Sequence, residues 1–122
     1  MLLPAAFINY AVSLLGLKRF AEAKALLCKM MPVARRVLGE VHDVTLRMRK
    51  VYAKALFKDD GATLDHLREA AATLEEIERT ARRVLGGAHP LTKGIEFDLR
   101  GARAALRARE TPPAGDTAEE RN

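Results

Sequence analysis

The chain has 122 residues, of which 48% are hydrophobic and 30% charged, with no Trp and a formal net charge of +5. That length supports one domain with at most an appendage, and the dominance of Ala, Leu, Arg and Glu over β-branched residues favours helices and argues against a sheet. The single cysteine, Cys28, excludes an internal disulfide and a multi-cysteine metal site and fits a reducing, cytoplasmic setting, with a free, partly buried thiol as its expected state.

The first residues, MLLPAAFINYAVSLLGL, carry no charge before Lys18. A secretory leader wants a basic start and a membrane span wants about 20 apolar residues. Pro4, Asn9, Ser13 and Gly16 interrupt this run, whereas Phe7, Tyr10, Ala11 and Leu14 keep the i, i+3, i+4, i+7 spacing of a packed helix. No membrane association is expected.

After a turn at Leu17 and Lys18, Phe20, Ala23, Leu27 and Met30 predict a second helix, with a kink at Pro32 where a backbone donor is lost. Met48, Tyr52, Ala55 and Leu56 mark a third. Asp59, Asp60 and Gly61 supply turn chemistry, and Thr63 is a candidate N-cap. Leu67, Ala70, Leu74, Ile77, Ala81 and Val84 form the unbroken stripe of a fourth helix, and Leu91, Ile95, Leu99, Ala102 and Leu106 that of a fifth, ending near Glu110. The remainder, TPPAGDTAEERN, reads as a disordered tail, so the expected organisation is a helical domain over 1–110 and a tail over 111–122.

An internal repeat organises these elements. Residues 34–43 read ARRVLGEVHD and residues 81–90 read ARRVLGGAHP, with Thr45 and Thr92 each three residues beyond the histidine and an offset of 47 residues from one copy to the next. A period in this range points to a solenoid or array. Each copy reads as one helix closing and the next opening. Gly39 and Gly86 can take the left-handed conformation that ends a helix. Arg35, Arg36, Arg82 and Arg83 complement the negative end of its dipole, and Asp43 and Pro90 suit the first turn that follows.

Leu38, Gly39, His42, Thr45 and Leu46, and again Leu85, Gly86, His89, Pro90 and Thr92, resemble the L-G-x-x-H-P-x-T-L joint of the tetratricopeptide repeats of kinesin light chains. Asn9, Tyr10 and Ala11 match the N-L-A stretch of that family's first helix, and Phe20, Glu22 and Ala23 the aromatic-x-E-A turn opening its second. Ala53, Glu69 and Ala70 continue the match once about five extra residues are placed around Asp59 to Thr63. The resemblance covers residues 5–100. It implies an all-α fold, a tetratricopeptide-like stack of two helical hairpins plus a C-terminal capping helix, wound right-handed. It also implies a concave face from the first, third and fifth helices, and a role in protein interaction. The family lines that face with paired asparagines; here Asn9 fits, and the later equivalents are Lys50 with Val51 and Phe97 with Asp98. Ile8 and Val12 occupy positions where related chaperone adaptors carry part of a carboxylate clamp.

Arg47, Lys50, Lys54 and Lys58 recur at i, i+3, i+7 and i+11, which sets four cations along one face of the third helix. The resemblance turns that face into the groove, so Asn9, Arg47, Lys50, Val51, Lys54, Lys58 and Phe97 are the candidate peptide-binding residues. Val51 and Phe57 could hold an apolar side chain beside charge-assisted bonds to Asp, Glu or phosphate groups. A solvated helix face is the plainer account of the stripe. Arg100, Arg103 and Arg107 make a second stripe, explained as solvation of the end of a stack.

The expected role is therefore a scaffold or adaptor holding an extended, acidic peptide. A basic nucleic-acid-binding module is the rival, weakened by the few aromatics available for stacking. Self-assembly is a third option, since two and a half units fall short of the roughly three that stabilise such stacks. His42 and His89 sit in separate joints without ligand spacing for a metal, and His66 lacks the surroundings of a phosphoacceptor. No nucleotide, zinc or nucleophile motif is present; neither catalysis nor a cofactor is expected.

Overall fold

Helices α1 (Leu3–Gly16), α2 (Phe20–Leu38), α3 (Asp43–Lys58), α4 (Leu64–Val84) and α5 (Pro90–Glu110) follow one another along the chain. The computed structural model describes residues 3–110, and side chains from residue 5; among these there is no strand. Each helix packs on its successor, and the odd-numbered helices also touch one another, α1 on α3 and α3 on α5. Short connections make successive helices antiparallel, so the molecule is two hairpins and a fifth helix in two layers, α1–α3–α5 and α2–α4. The stretch 111–122 lies outside the described residues. No described helix is long and apolar enough to cross a membrane.

The two joints are built alike. Gly39 and Gly86 both have positive φ, 97° and 95°, a region glycine enters without steric cost. The Gly39 N–H donates to the Arg35 carbonyl at 3.0 Å, and the Gly86 N–H reaches the carbonyls of Ala81 and Arg82 at 3.2 and 3.1 Å. The histidines then open the next helix. His42 Nδ1 accepts the Val44 N–H at 3.1 Å, and His89 Nδ1 accepts the Leu91 N–H at 3.0 Å. At the start of α4 Thr63 Oγ1 accepts the His66 N–H while His66 Nδ1 accepts the Thr63 N–H, a reciprocal capping box. All three histidines of the chain thus satisfy orphan donors at helix starts.

The remaining turn is different in kind. Lys18 carries a positive φ of 62° although it is not glycine, and the Arg19 N–H reaches back to the Leu14 carbonyl at 2.8 Å. α2 then starts without a side-chain cap. Instead Arg19 pairs with Glu22, and this hydrogen bond holds the Glu22 carboxyl below its ordinary range. The expected five extra residues of the second unit are divided: the 59–63 connection is two longer than 17–19, and α4 begins three residues before Leu67, the partner of Phe20 at the repeat spacing.

The core follows the repeat. Ala23, Leu27 and Ala34 on α2 and Ala70, Leu74 and Ala81 on α4, each pair 47 residues apart, are all shut off from solvent. Met48 and Ile95, Thr45 and Thr92, and Ala55 and Ala102 do the same on α3 and α5. Thr45 Oγ1 donates to the Ala34 carbonyl across the joint at 3.5 Å. Pro32 lies inside α2, which continues to Leu38; it is on the exposed side, where water can meet the Cys28 carbonyl that lacks its usual donor.

Three expectations about burial are corrected. Tyr10 is 56% exposed, because α1 turns Ile8 inward together with Ala11 and Leu14, the two members of the expected stripe that are buried, and Tyr10 falls outside that face. Val84, the last residue of α4, is exposed. Cys28 is exposed rather than partly buried, since Leu27 takes the inward position beside it.

A Cβ at Gly39 or Gly86 would meet nothing within 4 Å, so substitution there costs only backbone strain. Gly39→Ala and Gly86→Ala should each lower stability by about 1–2 kcal/mol in urea unfolding. Gly16→Ala, at an equally open helical position, should leave stability unchanged or raise it by up to about 1 kcal/mol.

Candidate functional site

The layer α1–α3–α5 faces away from α2 and α4, and three clefts run into one another along it. One of about 570 Å³ spans all three helices, from Asn9 and Val12 across Arg47, Lys50 and Val51 to Gly94. A second, of about 450 Å³, lies between the C-terminal halves of α1 and α3 and is lined by Val12, Leu15, Lys18, Phe20, Val51, Lys54 and Lys58. A third, of about 270 Å³, sits between α3 and α5 among Phe57, Lys58, Phe97, Asp98 and Arg100. Val12, Lys50 and Val51 are shared by the first two, and Lys58 by the second and third. Every residue singled out from the sequence, Asn9, Arg47, Lys50, Val51, Lys54, Lys58 and Phe97, lines one or more of these clefts.

Their roles in the surface differ. Lys50 is not a free cation: its Nζ stands 2.9 Å from Oδ2 of Asp98, which is 2% exposed. The two groups meet as a charge pair outside hydrogen-bonding geometry, leaving Oδ2 without a hydrogen-bond donor. The pair lies where α5 comes close to α3. A Cβ at Gly94 would stand 3.1 Å from Lys50 Cε, and one at Gly101 3.2 Å from the Phe57 ring. Gly94, Asp98 and Gly101 therefore form one face of α5 that receives Lys50 and Phe57. Val51 is buried against Ile8 and Met48 and supplies floor rather than grip; Ile8, read as a clamp position, is core.

Phe97 is 65% exposed, with the Arg100 guanidinium 5.9 Å from its ring centroid, and Lys58 Nζ lies 5.6 Å from the Phe57 ring. Such stacking keeps the rings oriented while leaving the cations accessible. Arg47 approaches Asp43 only at 3.9 Å. Lys18, Lys54 and Lys58 have no carboxylate within ion-pair distance among the described residues. Lys18 and Phe20 were not singled out as groove residues, since Lys18 lies in the α1–α2 turn and Phe20 opens α2, neither on an odd-numbered helix. The signal that could have found Lys18 is its place between two helices that must reverse direction within three residues.

The arginines behave otherwise. Arg49 bonds Glu76 at 2.9 Å across α3 and α4, Arg103 bonds Glu75 at 2.9 Å, Arg82 pairs with Glu78 and Glu96, and Arg68 meets Glu110 at 3.3 Å. The second stripe thus solvates the end of the stack only in part, because Arg103 is tied to α4. Even so, Arg100 and Arg103 stand where α3, one repeat earlier, has the buried Ala53 and Leu56, so the outward face of α5 is charged where that of α3 is apolar.

On the opposite surface the Tyr52 hydroxyl donates to Glu69 at 3.3 Å. Burial, then the neighbouring Cys28 and Glu69, raise its pKa well above the ordinary tyrosine value. A raised native value means that folding opposes ionisation, so the contribution is intact below about pH 10 and is lost as pH climbs from there through the native value. Tyr52→Phe should flatten the loss of stability seen above about pH 10 in chemical denaturation; the Tyr10→Phe control, on an exposed ring, should not.

The buried pair predicts an asymmetry. Lys50→Met strands the Asp98 carboxylate in the core and should cost about 3 kcal/mol. Asp98→Asn leaves a lysine that can swing into the cleft, and should cost about 1 kcal/mol. Equal losses in thermal unfolding would contradict this account. No family model, curated protein or solved structure matches the chain.

Proposed function

We propose that the chain is a protein-interaction module of the tetratricopeptide type, whose groove along α1, α3 and α5 holds an extended acidic peptide as part of a scaffold or adaptor. The observation that carries this reading is the group Lys18, Lys54 and Lys58, which among the described residues stands without carboxylate partners around the apolar floor of Val12, Leu15, Phe20 and Val51. An extended peptide presents alternate side chains to opposite sides. It can therefore lay an apolar residue on that floor while neighbouring carboxylates take charge-assisted hydrogen bonds from the lysines. The glycine–histidine joints support the family reading, since they reverse the chain between one unit and the next at the repeat spacing. The net charge of +5 adds long-range attraction for such a partner.

The charge reversal that tests this groove must avoid Lys50, because Lys50→Glu would set a second carboxylate against Asp98 and so test the fold. Lys54→Glu with Lys58→Glu, in the full chain, should weaken binding of a fluorescent oligoglutamate by about tenfold or more. Lys24→Glu with Lys29→Glu, on α2, changes net charge equally and should alter it by less than about twofold. Equal losses in both would reduce the interaction to net charge. An oligoribonucleotide bound with a steep salt slope, and not displaced by the oligoglutamate, would favour a nucleic-acid module instead.

A further inference from the structure

We propose that the cleft between α1 and α3 has an occupant within the chain itself, the acidic segment 111–122, which competes with outside ligands for the same lysines. This rests on the same cleft as the acidic-peptide reading, and its regulatory meaning depends on that reading, but the docking itself does not.

Three observations converge. The first is where α5 ends. Arg109 Nη1 donates to the Ala62 carbonyl at 2.6 Å and Glu110 meets Arg68, so the chain leaves α5 beside the α3–α4 connection, a few residues from Lys58. The cleft opens at this same end of the stack, because its wall includes Gly16 and Lys18 from the close of α1 and Lys54 and Lys58 from the close of α3.

The second is reach. Neighbouring helices lie about 10 Å apart, which puts the α1–α3 cleft within about 20 Å of the end of α5. An extended chain advances about 3.3 Å per residue, which brings Asp116 to about 20 Å and Glu119 and Glu120 to about 30 Å. Pro112 and Pro113 do not propagate a helix and favour that extended course.

The third is charge. The segment TPPAGDTAEERN holds Asp116, Glu119 and Glu120 against the one cation Arg121. Most carboxylates of α4 and α5, by contrast, are taken up by arginines and Lys50 in the stack: Glu75, Glu76, Glu78, Glu96, Asp98 and Glu110 have cationic partners, and Glu69 accepts from the Tyr52 hydroxyl. Lys18, Lys54 and Lys58 are the cations that line this cleft without a carboxylate partner among the described residues. A tether this short holds its acids at millimolar effective concentration, so even weak pairing fills the cleft for part of the time, and an outside peptide binds with an affinity reduced by that occupancy.

The test uses the full chain with Cys28→Ser and a nitroxide attached at Thr117→Cys. Docking predicts broadening of the amide signals of Leu15, Lys18, Lys54 and Lys58 at low salt. The signals should recover in 0.5 M salt and in the added variant Asp116→Asn, Glu119→Gln, Glu120→Gln, because screening and neutralisation act on the same pairs. Broadening confined to residues near Glu110 and Ala62, or unaffected by salt and by the triple variant, would overturn the proposal. In parallel, the triple variant without the label should bind oligoglutamate about threefold to tenfold more tightly than the native chain; unchanged affinity beside a bound oligoglutamate would also count against it. The two readings fail separately. Broadening of the cleft signals with no oligoglutamate binding to the triple variant would leave the docked segment standing and remove the acidic-peptide function.

Discussion

Everything in this molecule hangs on the close approach of α2 and α4 to their neighbours through small side chains. Ala23 and Ala34 on α2, and Ala70 and Ala81 on α4, have no exposed surface, and Leu27 and Leu74 fill the space between them. Each buried leucine contributes about 1.5–3 kcal/mol, but the alanines decide the geometry, because a longer side chain would hold the backbones apart. With α2 and α4 each wedged between two odd-numbered helices, α1, α3 and α5 are left side by side. The grooved surface is what that arrangement leaves over, and its lining residues are those the packing does not consume.

How much of this could be read from the sequence depends on the kind of signal. Joints were legible because they combine a residue needing positive φ, Gly39 or Gly86, with a capping residue at fixed distance; both requirements are local. The inward stripes of α2 to α5 were legible from their spacing. The stripe of α1 was legible at Ala11 and Leu14 but misjudged at Tyr10 in place of Ile8, since both are apolar and only the neighbour across the seam decides which turns in. The candidate groove face was found from four cations in helical register, yet the fate of Lys50 was not, because Asp98 lies 48 residues away in sequence and is brought to it by the α3–α5 contact. In the repeat alignment, Asp98 corresponds to Val51 rather than to an asparagine. A buried carboxylate at a position where the previous unit has valine is a sign of pairing, and its partner was the cation preceding that valine.

The two cationic side chains divide the work. Arginine, with a planar fork of donors, ties one helix to the next at Arg49–Glu76, Arg82–Glu96 and Arg103–Glu75. Lysine, apart from Lys50, takes no carboxylate partner among the described residues. Guanidinium groups such as Arg49, Arg82 and Arg103 serve as cross-braces, while the ammonium groups of Lys18, Lys54 and Lys58 ring one cleft. Surface pairs of this sort each contribute little, about 0.2–1 kcal/mol, so their larger effect is to decide which charges remain for a ligand.

Gly94 and Gly101 on α5 correspond, one repeat on, to Arg47 and Lys54 on α3. At Gly101 no side chain holds α5 off α3 and only the small cleft lies between them; at the matching station on α3, Lys54, a long cation lines the larger cleft toward α1, while the cleft at Gly94 runs on across α3 to α1. The aperture at the C-terminal ends of these helices thus differs at a single shim position, Gly101 on α5 and Lys54 on α3. A stack of near-identical units can become tight at one step and wide at the next without altering its joints or its core, which lets gap width evolve independently of the repeat that builds it.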